Sequence, residues 1–448
     1  MNSVGGSREA KIIGLDSRGR IYGYSGGKKI FFRYGIPGEV VLADIKARPK
    51  GRRGVEYWAD IKEVIQASPD RIKARCRHFG LCGGCRFQDM SYEAQLRMKR
   101  EYVERVFEDF NVRVPNIYKP FSSPEIWFYR NRMDFPVGVR DGKPIVGLKA
   151  LGRWDYVVDL DECLLMSEEA VDIIHRVEAH MERYGLEPYD VVRQRGFLRY
   201  VVVREGKYTG DRIVNFVTFK PGGFIGIDRL VEELSDLVTG VLWSVNEGLA
   251  DVSIGRDIRP IYGRDYITEE IGGVKFYIHP NAFFQTNSYQ AVKMVELARK
   301  YSSGGRFLLD VYSGVGLFTY TLMDKYDSIV SIEVDEYAVY SNYRVREWMD
   351  ADNVTVIQSR AEDRLPLIGG SIDTLVVDPP RPGLSREVKE AILKIYPDEI
   401  LYFSCNPLSM ARDLEYLSRG YRVSDGIYLI DMFPHTPHIE LFARLEKR

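Results

Sequence analysis

Two residues near the C-terminus of this chain, a cysteine and a glutamate, are suited to covalent chemistry on a pyrimidine ring. Cys405 follows an apolar stretch, and Glu440 comes just after the segment Pro434–Pro437. A thiolate that adds to C6 of a pyrimidine makes the neighbouring C5 electron-rich enough to be alkylated. A base must then remove the C5 proton before the sulfur can leave. We therefore interpret Cys405 as a candidate nucleophile and Glu440 as a candidate general base. A small buried cysteine and a solvated carboxylate are the ordinary alternatives.

A glycine-rich turn upstream could bind a nucleotide-like cofactor. Leu308–Val311 reads as a strand that runs into Gly314-Val315-Gly316 and then into a helix, whose free N-terminal amides suit such a ligand. About 20 residues further on, Glu333 ends the next predicted strand and is placed to accept the ribose hydroxyls. The third glycine of the pyrophosphate fingerprint is missing, which disfavours NAD. An ordinary tight turn is the alternative.

The loop Asp378-Pro379-Pro380-Arg381 follows the fourth predicted strand, at the sheet edge where open α/β folds bind ligands. Together with the glycine turn, this loop resembles class I S-adenosylmethionine-dependent methyltransferases. In the amino-group methyltransferases of that class, a tyrosine that stacks on the target base stands where this chain has Arg381. The arginine disfavours an exocyclic amine as acceptor, and Asp378 could accept a hydrogen bond from the pyrimidine N3–H.

Strand and helix patterns divide the chain into three parts. From residue 306 onward, apolar strands alternate with helical stretches, which indicates a parallel, Rossmann-like α/β sheet. Residues 8–66 read instead as short strands broken by glycine, which indicates a small barrel. The middle part is α+β; we expect its helix at 91–110 to pack on the catalytic domain, whereas the topology of 126–275 stays open. The predicted domains are 1–66, 67–275 and 276–448.

Composition and charge describe a globular protein with a basic N-terminal part. The 448 residues are 45% hydrophobic and 28% charged, without an apolar run long enough for a membrane helix and without a secretory signal. We expect a cytoplasmic protein with no membrane partner. The net charge is −1, yet residues 1–90 hold 18 Lys and Arg against 9 Asp and Glu, which indicates contact with a polyanion. A solvated basic face would produce the same surplus.

The predicted barrel interleaves aromatic and basic side chains, as surfaces that bind single-stranded nucleic acid do. A basic loop runs over residues 46–53 at its edge. The alternative is that half of the rings belong to the barrel core. The aromatic residues are Tyr22, Tyr24, Phe31, Phe32 and Tyr34.

Five cysteines, an odd number, argue against a disulfide framework. Cys76, Cys82 and Cys85 are crowded together, and with the distant Cys163 they give four thiolates, which suit zinc or an iron–sulfur cluster. Their spacing alone does not choose between the two. Nearby basic residues could pair with RNA phosphates or offset the charge of a cluster. These residues are Arg71, Lys73, Arg75, Arg77 and Arg86.

Motifs spread along the chain resemble, in order, those of the RNA uracil-5 methyltransferases, which act on tRNA or ribosomal RNA. The motifs are Phe284-Gln285-Thr286-Asn287, Asp310–Gly316, Asp378–Arg381, Ser404–Pro407 and Pro437–Glu440. The resemblance extends over nearly the whole chain, because the N-terminal barrel is similar to a TRAM domain, an OB-like RNA-binding module. There are two departures, Tyr312-Ser313 where Phe-Cys is commoner and Leu317 where Asn is frequent. These departures affect the side-chain contact expected at position 317, but they leave the predicted fold unchanged.

The resemblance implies a role for each candidate residue. It makes Cys405 the nucleophile and Glu440 the general base. It assigns contact with S-adenosylmethionine to Gln285, Tyr312, Glu333 and Asp378. It favours a [4Fe-4S] cluster over zinc on Cys76, Cys82, Cys85 and Cys163. Complete cysteine ligation leaves no open iron, so the implied role of the cluster is structural.

We expect the substrate to be a uridine that can be flipped out of its stack. The T-loop uridine at position 54 of tRNA is favoured, and a 23S ribosomal RNA uridine comes second. A cytosine-5 RNA methyltransferase would carry Pro-Cys or Thr-Cys in place of Ser404-Cys405, and radical methylthiolating enzymes need a Cys-x3-Cys-x2-Cys motif that this chain lacks. A non-enzymatic RNA-binding scaffold would keep its function without Cys405. We expect a monomer with no obligate protein partner.

Overall fold

A computed structural model describes residues 7–50 and 54–448. Predictions for residues 1–6 and for the tip of the basic loop, 51–53, lie outside these ranges. The N-terminal strands close into a barrel in the order β1-β2-β3-β5-β4. Gly23 is required where the first two strands meet, because a Cβ there would lie 2.1 Å from the carbonyl oxygen of Lys11. The strands are β1 Ser7–Leu15, β2 Ile21–Ser25, β3 Lys28–Phe32, β4 Val40–Pro49 and β5 Val55–Gln66.

The aromatic residues of the barrel divide between its core and its surface. Phe32 is buried in the core, and Tyr22 and Phe31 are also buried, whereas Tyr24 is 45% exposed. Lys29 lies over the ring of Tyr22, with the ammonium 4.3 Å from the ring centroid. Part of the predicted aromatic face is therefore barrel interior, because a small closed barrel must fill its own centre with side chains.

Helix α1, Tyr92–Asp109, joins the barrel to the C-terminal part of the chain. It contacts β1 on one side and the helix Pro407–Leu417 on the other. Val103, Val106 and Phe107 are buried as the apolar periodicity predicts, and one continuous apolar core runs from the barrel through α1 into the C-terminal sheet. The same helix also buries two polar residues that periodicity does not mark, Gln95 and Lys99.

The middle of the chain forms a mixed sheet in the order β12-β11-β10-β9-β6-β7-β8, in which β10 and β11 pair in parallel. Helix α2 packs on β7, and its N-terminus is capped by Ser167, which accepts a hydrogen bond from the Ala170 N–H. The elements are β6 Arg132–Arg140, β7 Lys143–Lys149, β8 Val157–Asp159, α2 Glu168–Tyr184, β9 Leu198–Glu205, β10 Arg212–Thr218, α3 Ile227–Leu234, β11 Gly240–Val245 and β12 Arg256–Gly263.

A hairpin and a helix lead into the C-terminal sheet. The hairpin strands are β13 Ile267–Ile271 and β14 Val274–Ile278, and the helix is α4 Ser288–Tyr301. The hairpin packs on helices of the C-terminal part and shares its core. The elements that follow are β15 Gly305–Val311, α5 Leu317–Thr321, β16 Tyr326–Glu333, α6 Glu336–Trp348, β17 Val354–Gln358, α7 Ala361–Arg364, β18 Thr374–Val377, α8 Arg386–Ile395, β19 Glu399–Ser404, α9 Pro407–Leu417, β20 Tyr421–Ile430 and β21 Glu440–Lys447.

The C-terminal sheet has the order β17-β16-β15-β18-β19-β21-β20. Strands β15 to β19 are parallel, as predicted, and β21 runs antiparallel between β19 and β20. The order reverses between β15 and β18, which makes this the topological switch point where Rossmann-like sheets bind ligands. In the described part of the chain, no helix combines the length and the apolar character that a bilayer span requires.

Candidate active site

The predicted site residues meet at the carboxyl edge of the C-terminal sheet. Cys405 follows β19 and Asp378 follows β18, while Glu440 is the first residue of β21. Strands β19 and β21 are neighbours, with Ser404 paired to Leu441, so Cys405 and Glu440 lie side by side. Both line a cavity of about 1600 Å³ together with the four residues assigned to the cofactor. Those four residues are Gln285, Tyr312, Glu333 and Asp378.

The environment of Cys405 holds its thiol in the neutral form. Burial raises the pKa of Cys405 to about 12, and the neighbouring carboxyl groups of Glu440 and Asp378 act in the same direction. The guanidinium of Arg381 opposes them, because its charge and its hydrogen bond favour the thiolate. Arg381 can thus stabilise a thiolate, or any other negative charge that develops beside this sulfur.

Two contacts orient Arg381 within the cavity. Asn406 donates a hydrogen bond from Nδ2 to the Arg381 carbonyl oxygen at 2.9 Å. The Nη2 atom of Arg381 lies 2.9 Å from Nδ1 of His438. Partial desolvation within the cavity and the charge of Arg381 lower the pKa of His438, which favours the neutral ring that can accept this bond. The sequence analysis identified Arg381 but not His438, because the two residues are 57 positions apart in the chain and no local pattern connects them.

Glu440 is 2% exposed and has little support for a negative charge. A backbone hydrogen bond from Ser404 favours its ionised form, but burial and the charge of Asp378 raise its pKa well above the ordinary value. Its Oε1 atom has no hydrogen-bond partner among the described residues. These contacts favour the protonated acid, and only the ionised form of Glu440 can act as a base. That form is a strong base for a proton brought close to it, since a raised pKa means a higher proton affinity.

Asp378 and Gln285 form the other wall of the site. Gln285 donates a hydrogen bond from Nε2 to Oδ2 of Asp378 at 2.9 Å. Asn131, just before β6, donates from Nδ2 to the carbonyl oxygen of Gln285 at 2.7 Å and so ties this wall to the middle sheet. The sequence analysis missed Asn131, because no local pattern marks a side chain that acts 154 residues away.

The glycine turn lines the cavity and has a left-handed backbone at three positions. Tyr312 has φ 62°, and Gly314 and Gly316 have φ 55° and 91°. A Cβ on Gly316 would lie 2.4 Å from the Tyr320 ring, so this position requires glycine. Glu333 accepts a hydrogen bond on Oε2 from the Gly314 N–H at 2.9 Å, which ties the turn to the end of β16. These features suit the close approach of a nucleoside ligand.

The four clustered cysteines line one small cavity between the chain segments 76–88 and 160–165. All are free thiols; Cys163 is buried and the other three are half-buried. Burial raises the pKa of Cys82 to about 12. Within residues 7–50 and 54–448, the side chains of His, Cys, Asp and Glu form no group of three or more that is positioned to hold a metal ion.

The basic residues around these cysteines have separate surroundings. Arg71 forms ion pairs with Glu39 and Asp89, and Arg77 lies near acidic residues of the Cys163 segment. Arg86, in contrast, lines the large cavity. Of the five residues predicted to meet phosphate or offset a cluster, Arg86 is therefore the one that faces the candidate active site.

Comparison with known proteins identifies the family. A family model described as tRNA (Uracil-5-)-methyltransferase matches residues 249–448. The chain is 36% identical to the tRNA (uracil(54)-C(5))-methyltransferase of Pyrococcus abyssi over 423 residues, which cover 93% of this chain and 96% of that protein. The chain belongs to the tRNA (uracil-5-)-methyltransferase family. This membership confirms the resemblance and the enzyme class predicted from the motifs.

A second relative and a solved structure extend this result. The chain is also 36% identical to the 23S rRNA (uracil(747)-C(5))-methyltransferase of Pyrococcus abyssi, with 94% of this chain and 96% of that protein covered. The crystal structure of the Pyrococcus abyssi tRNA (uracil-54, C5)-methyltransferase in complex with S-adenosyl-L-homocysteine matches with a TM-score of 0.79 at 32% identity. The match covers 97% of this chain and 99% of that one, and it confirms an N-terminal barrel-like domain and a C-terminal Rossmann-like methyltransferase fold.

Asp310, at the end of β15, makes the stability of this edge dependent on pH. It is 1% exposed and accepts a hydrogen bond from Thr319 at 2.6 Å. Burial raises its pKa from 3.8 to about 7, so the folded protein keeps a proton that the unfolded chain releases above pH 4 or so. The stability contributed by this neutral group is therefore present at low pH and lost as the pH rises toward 7.

We expect Asp310→Asn, which cannot titrate, to gain stability relative to the native chain as the pH rises. The difference in Tm between variant and native protein should grow by about 3 °C between pH 5 and pH 8. Circular dichroism melts at both pH values measure it. A difference that does not change with pH would contradict the raised pKa.

Proposed function

We propose that this protein transfers a methyl group from S-adenosylmethionine to C5 of a uridine in RNA. The observation that carries the proposal is the placement of Cys405, just after β19, beside Glu440, at the start of the neighbouring strand β21, with both lining one cavity. A nucleophile and a base beside each other are what addition to C6 and loss of the C5 proton require. Family membership supports the same reaction.

In this mechanism the Cys405 thiol first loses its proton to the surrounding water. The thiolate then forms a bond to C6, and the electrons of the C5=C6 double bond move to C5. Arg381 favours the thiolate before this step. Bound S-adenosylmethionine supplies the methyl group. Glu440 then takes the C5 proton; the electrons of the C–H bond restore the double bond, and those of the C6–S bond return to the sulfur.

We propose that Gln285, Tyr312, Glu333 and Asp378 hold S-adenosylmethionine. The positive φ of Tyr312 and the tie between Glu333 and Gly314 support a nucleoside site at this turn. A relative with 32% identity has been crystallised with S-adenosyl-L-homocysteine. Asp378 and Gln285 lie in the same cavity as Cys405, so they can also face the edge of the uracil ring.

For the substrate we propose tRNA, with uridine 54 of the T-loop as the target. Relatives named for tRNA uracil-54 are 36–39% identical to the chain, and the relative named for 23S rRNA uracil-747 keeps ribosomal RNA as the second candidate. Cationic side chains from three regions line the cavity and can meet RNA phosphates: Arg18 of the barrel, Arg86 beside the cysteines and Arg130 before β6.

We expect the protein to label a tRNA transcript from tritiated S-adenosylmethionine, and to lose that label when uridine 54 is replaced by cytidine. A 23S ribosomal RNA fragment with the loop around uridine 747 is the competing substrate. Label on the ribosomal fragment alone would move the substrate to the second candidate. Label on neither RNA would contradict the proposed function.

The variant Cys405→Ala tests the nucleophile in the same assay. We expect methyl transfer to fall by at least about a thousandfold, because no other thiol lines the cavity within the described residues. Binding of S-adenosylmethionine, measured by calorimetry, should be retained. Turnover that persists in this variant would exclude Cys405 as the nucleophile and leave the protein an RNA-binding scaffold or an enzyme of another kind.

The variant Glu440→Gln should separate addition from release. A glutamine keeps the shape of the side chain but cannot accept the C5 proton, so the methylated RNA should stay bonded to Cys405. We expect a protein–RNA species that survives denaturation and carries the tritiated methyl group on a gel. Release of free product at the native rate would assign the base to another residue.

We further propose a [4Fe-4S] cluster on Cys76, Cys82, Cys85 and Cys163. Four free thiols around one cavity fit the ligand set that such a cluster needs. When bound, the cluster would cross-link the segment 76–85 to the distant Cys163. The chain's own residues already support this closure, since Arg77 donates a backbone hydrogen bond to Glu162 at 2.8 Å.

Anaerobic purification tests the cluster. We expect about four irons and visible absorption from the native protein, and loss of both in Cys85→Ala. Cys405→Ala is the matched control, because it also removes one thiol but should keep the iron. Colourless protein with one zinc per chain would show that the site is a zinc site.

We also propose three domains: a TRAM-like RNA-binding barrel at 1–66, a middle domain and a C-terminal catalytic domain, the last two predicted from the sequence at 67–275 and 276–448. The closed barrel supports the first boundary. The hairpin β13–β14 shares the C-terminal core, so the last boundary falls better before Ile267 than at 276.

A further inference from the structure

The stretch Asp431–Ile439, which joins β20 to β21 and ends beside Glu440, is held in place from outside its own sheet. We call this stretch the base segment. Lys99 of α1 donates hydrogen bonds to the Asp431 carboxylate and to the carbonyl oxygen of Phe433, the latter at 3.0 Å. Both Lys99 and Asp431 are completely buried. Tyr92, also on α1, donates to the other Asp431 oxygen at 2.8 Å.

Gln95, one turn before Lys99 on α1, forms hydrogen bonds with the middle of the base segment. Its Oε1 accepts a hydrogen bond from the His435 N–H at 2.9 Å, and its Nε2 lies 3.2 Å from the ring nitrogen Nδ1 of His435. The same Nε2 donates to the carbonyl oxygens of Phe87 and Met90 at 2.9 and 3.0 Å. Gln95 is 0% exposed, so these bonds have no competition from water.

The segment that follows Cys85 closes the same contact. The N–H groups of Arg86 and Phe87 donate to the His435 carbonyl oxygen at 2.8 and 3.1 Å. The ring of Trp127 stacks on that of His435 with 3.8 Å between centroids. The base segment is therefore clamped between α1 and the cysteine-bearing loop, five residues before Glu440.

We infer that Gln95 and Lys99 are positioning residues for Glu440, an inference that rests on the proposed function. The Glu440 backbone pairs with Ile430 of β20, but its carboxyl group accepts one backbone hydrogen bond from Ser404 and has an unpartnered Oε1, so its polar contacts do little to orient the side chain. The position of its carboxyl group therefore depends on the base segment, which directly precedes it in the chain. Neither residue touches the cavity that holds the reacting atoms.

This arrangement affects one step of the reaction more than the other. Formation of the Cys405–C6 bond depends mainly on β19 and the loop after it, which α1 approaches through α9, and the base segment reaches this step by the contact of His438 with Arg381. Removal of the C5 proton depends on where Glu440 lies. Loosening the base segment should therefore slow the release of methylated RNA more than the formation of the adduct.

The variant Gln95→Met, which keeps the volume but loses these hydrogen bonds, tests the inference. In single-turnover experiments with tritiated S-adenosylmethionine and the tRNA transcript, we expect adduct formation within about threefold of the native rate and release slowed at least about tenfold, because small displacements of a catalytic group are costly. The methylated protein–RNA adduct should accumulate on denaturing gels, as in a weak form of Glu440→Gln.

Two further variants keep the test informative. Tyr92→Phe removes one hydrogen bond to Asp431 without a change of volume and should show the same selective delay if Gln95→Met does not fold. Asn215→Leu removes a buried amide of the middle sheet that accepts a bond from Ser244 at 3.0 Å, and it should leave the ratio of adduct to product unchanged.

The outcomes separate the inference from the function on which it rests. Adduct accumulation in Gln95→Met or Tyr92→Phe, but not in Asn215→Leu, supports the positioning role. Equal slowing of both steps, or the same ratio in all variants, overturns it. If the native protein forms neither adduct nor methylated RNA, the proposed function fails first.

Discussion

The removal of acidic groups from water at one edge of a parallel sheet is the constraint on which this site depends. Asp310, Asp378 and Glu440 are all placed around the carboxyl ends of β15, β18 and β19, and burial raises the pKa of each. Like charges at close range in a medium of low polarity cannot all ionise. The three carboxyl groups therefore bind protons more tightly than carboxyl groups in water do. Arg381 is the cation beside the thiol of Cys405.

The order of the strands produces this concentration. Because β21 is inserted between β19 and β20, the start of an antiparallel strand lies beside the end of a parallel one. A carboxylate at position 440 thereby comes next to a thiol at position 405. The reversal of order between β15 and β18 opens the crevice in which the glycine turn and Asp378 also lie.

The rest of the chain holds this edge together. Helix α1 shares one apolar core with the barrel and the C-terminal sheet, and it buries a lysine and a glutamine against the base segment. A buried ion pair such as Lys99–Asp431 adds little net stability. It does restrict how α1 and the base segment can pack, because separating the two charges would leave each one buried without a partner. The barrel, the cysteine loop and the catalytic sheet therefore form one connected support for the cavity.

The sequence by itself determined the alternation of strands and helices from residue 306 and the small N-terminal barrel, and its motifs predicted Cys405 and Glu440 as the residues that carry the chemistry. These depend on periodicity and on motifs within a few residues, which a single stretch of chain reveals. Only the tertiary structure decided that Gln95 and Lys99 support the base segment and that Asn131 supports Gln285. Lys99 and Asp431 are 332 positions apart, and no local pattern records which distant partner a buried polar side chain will meet.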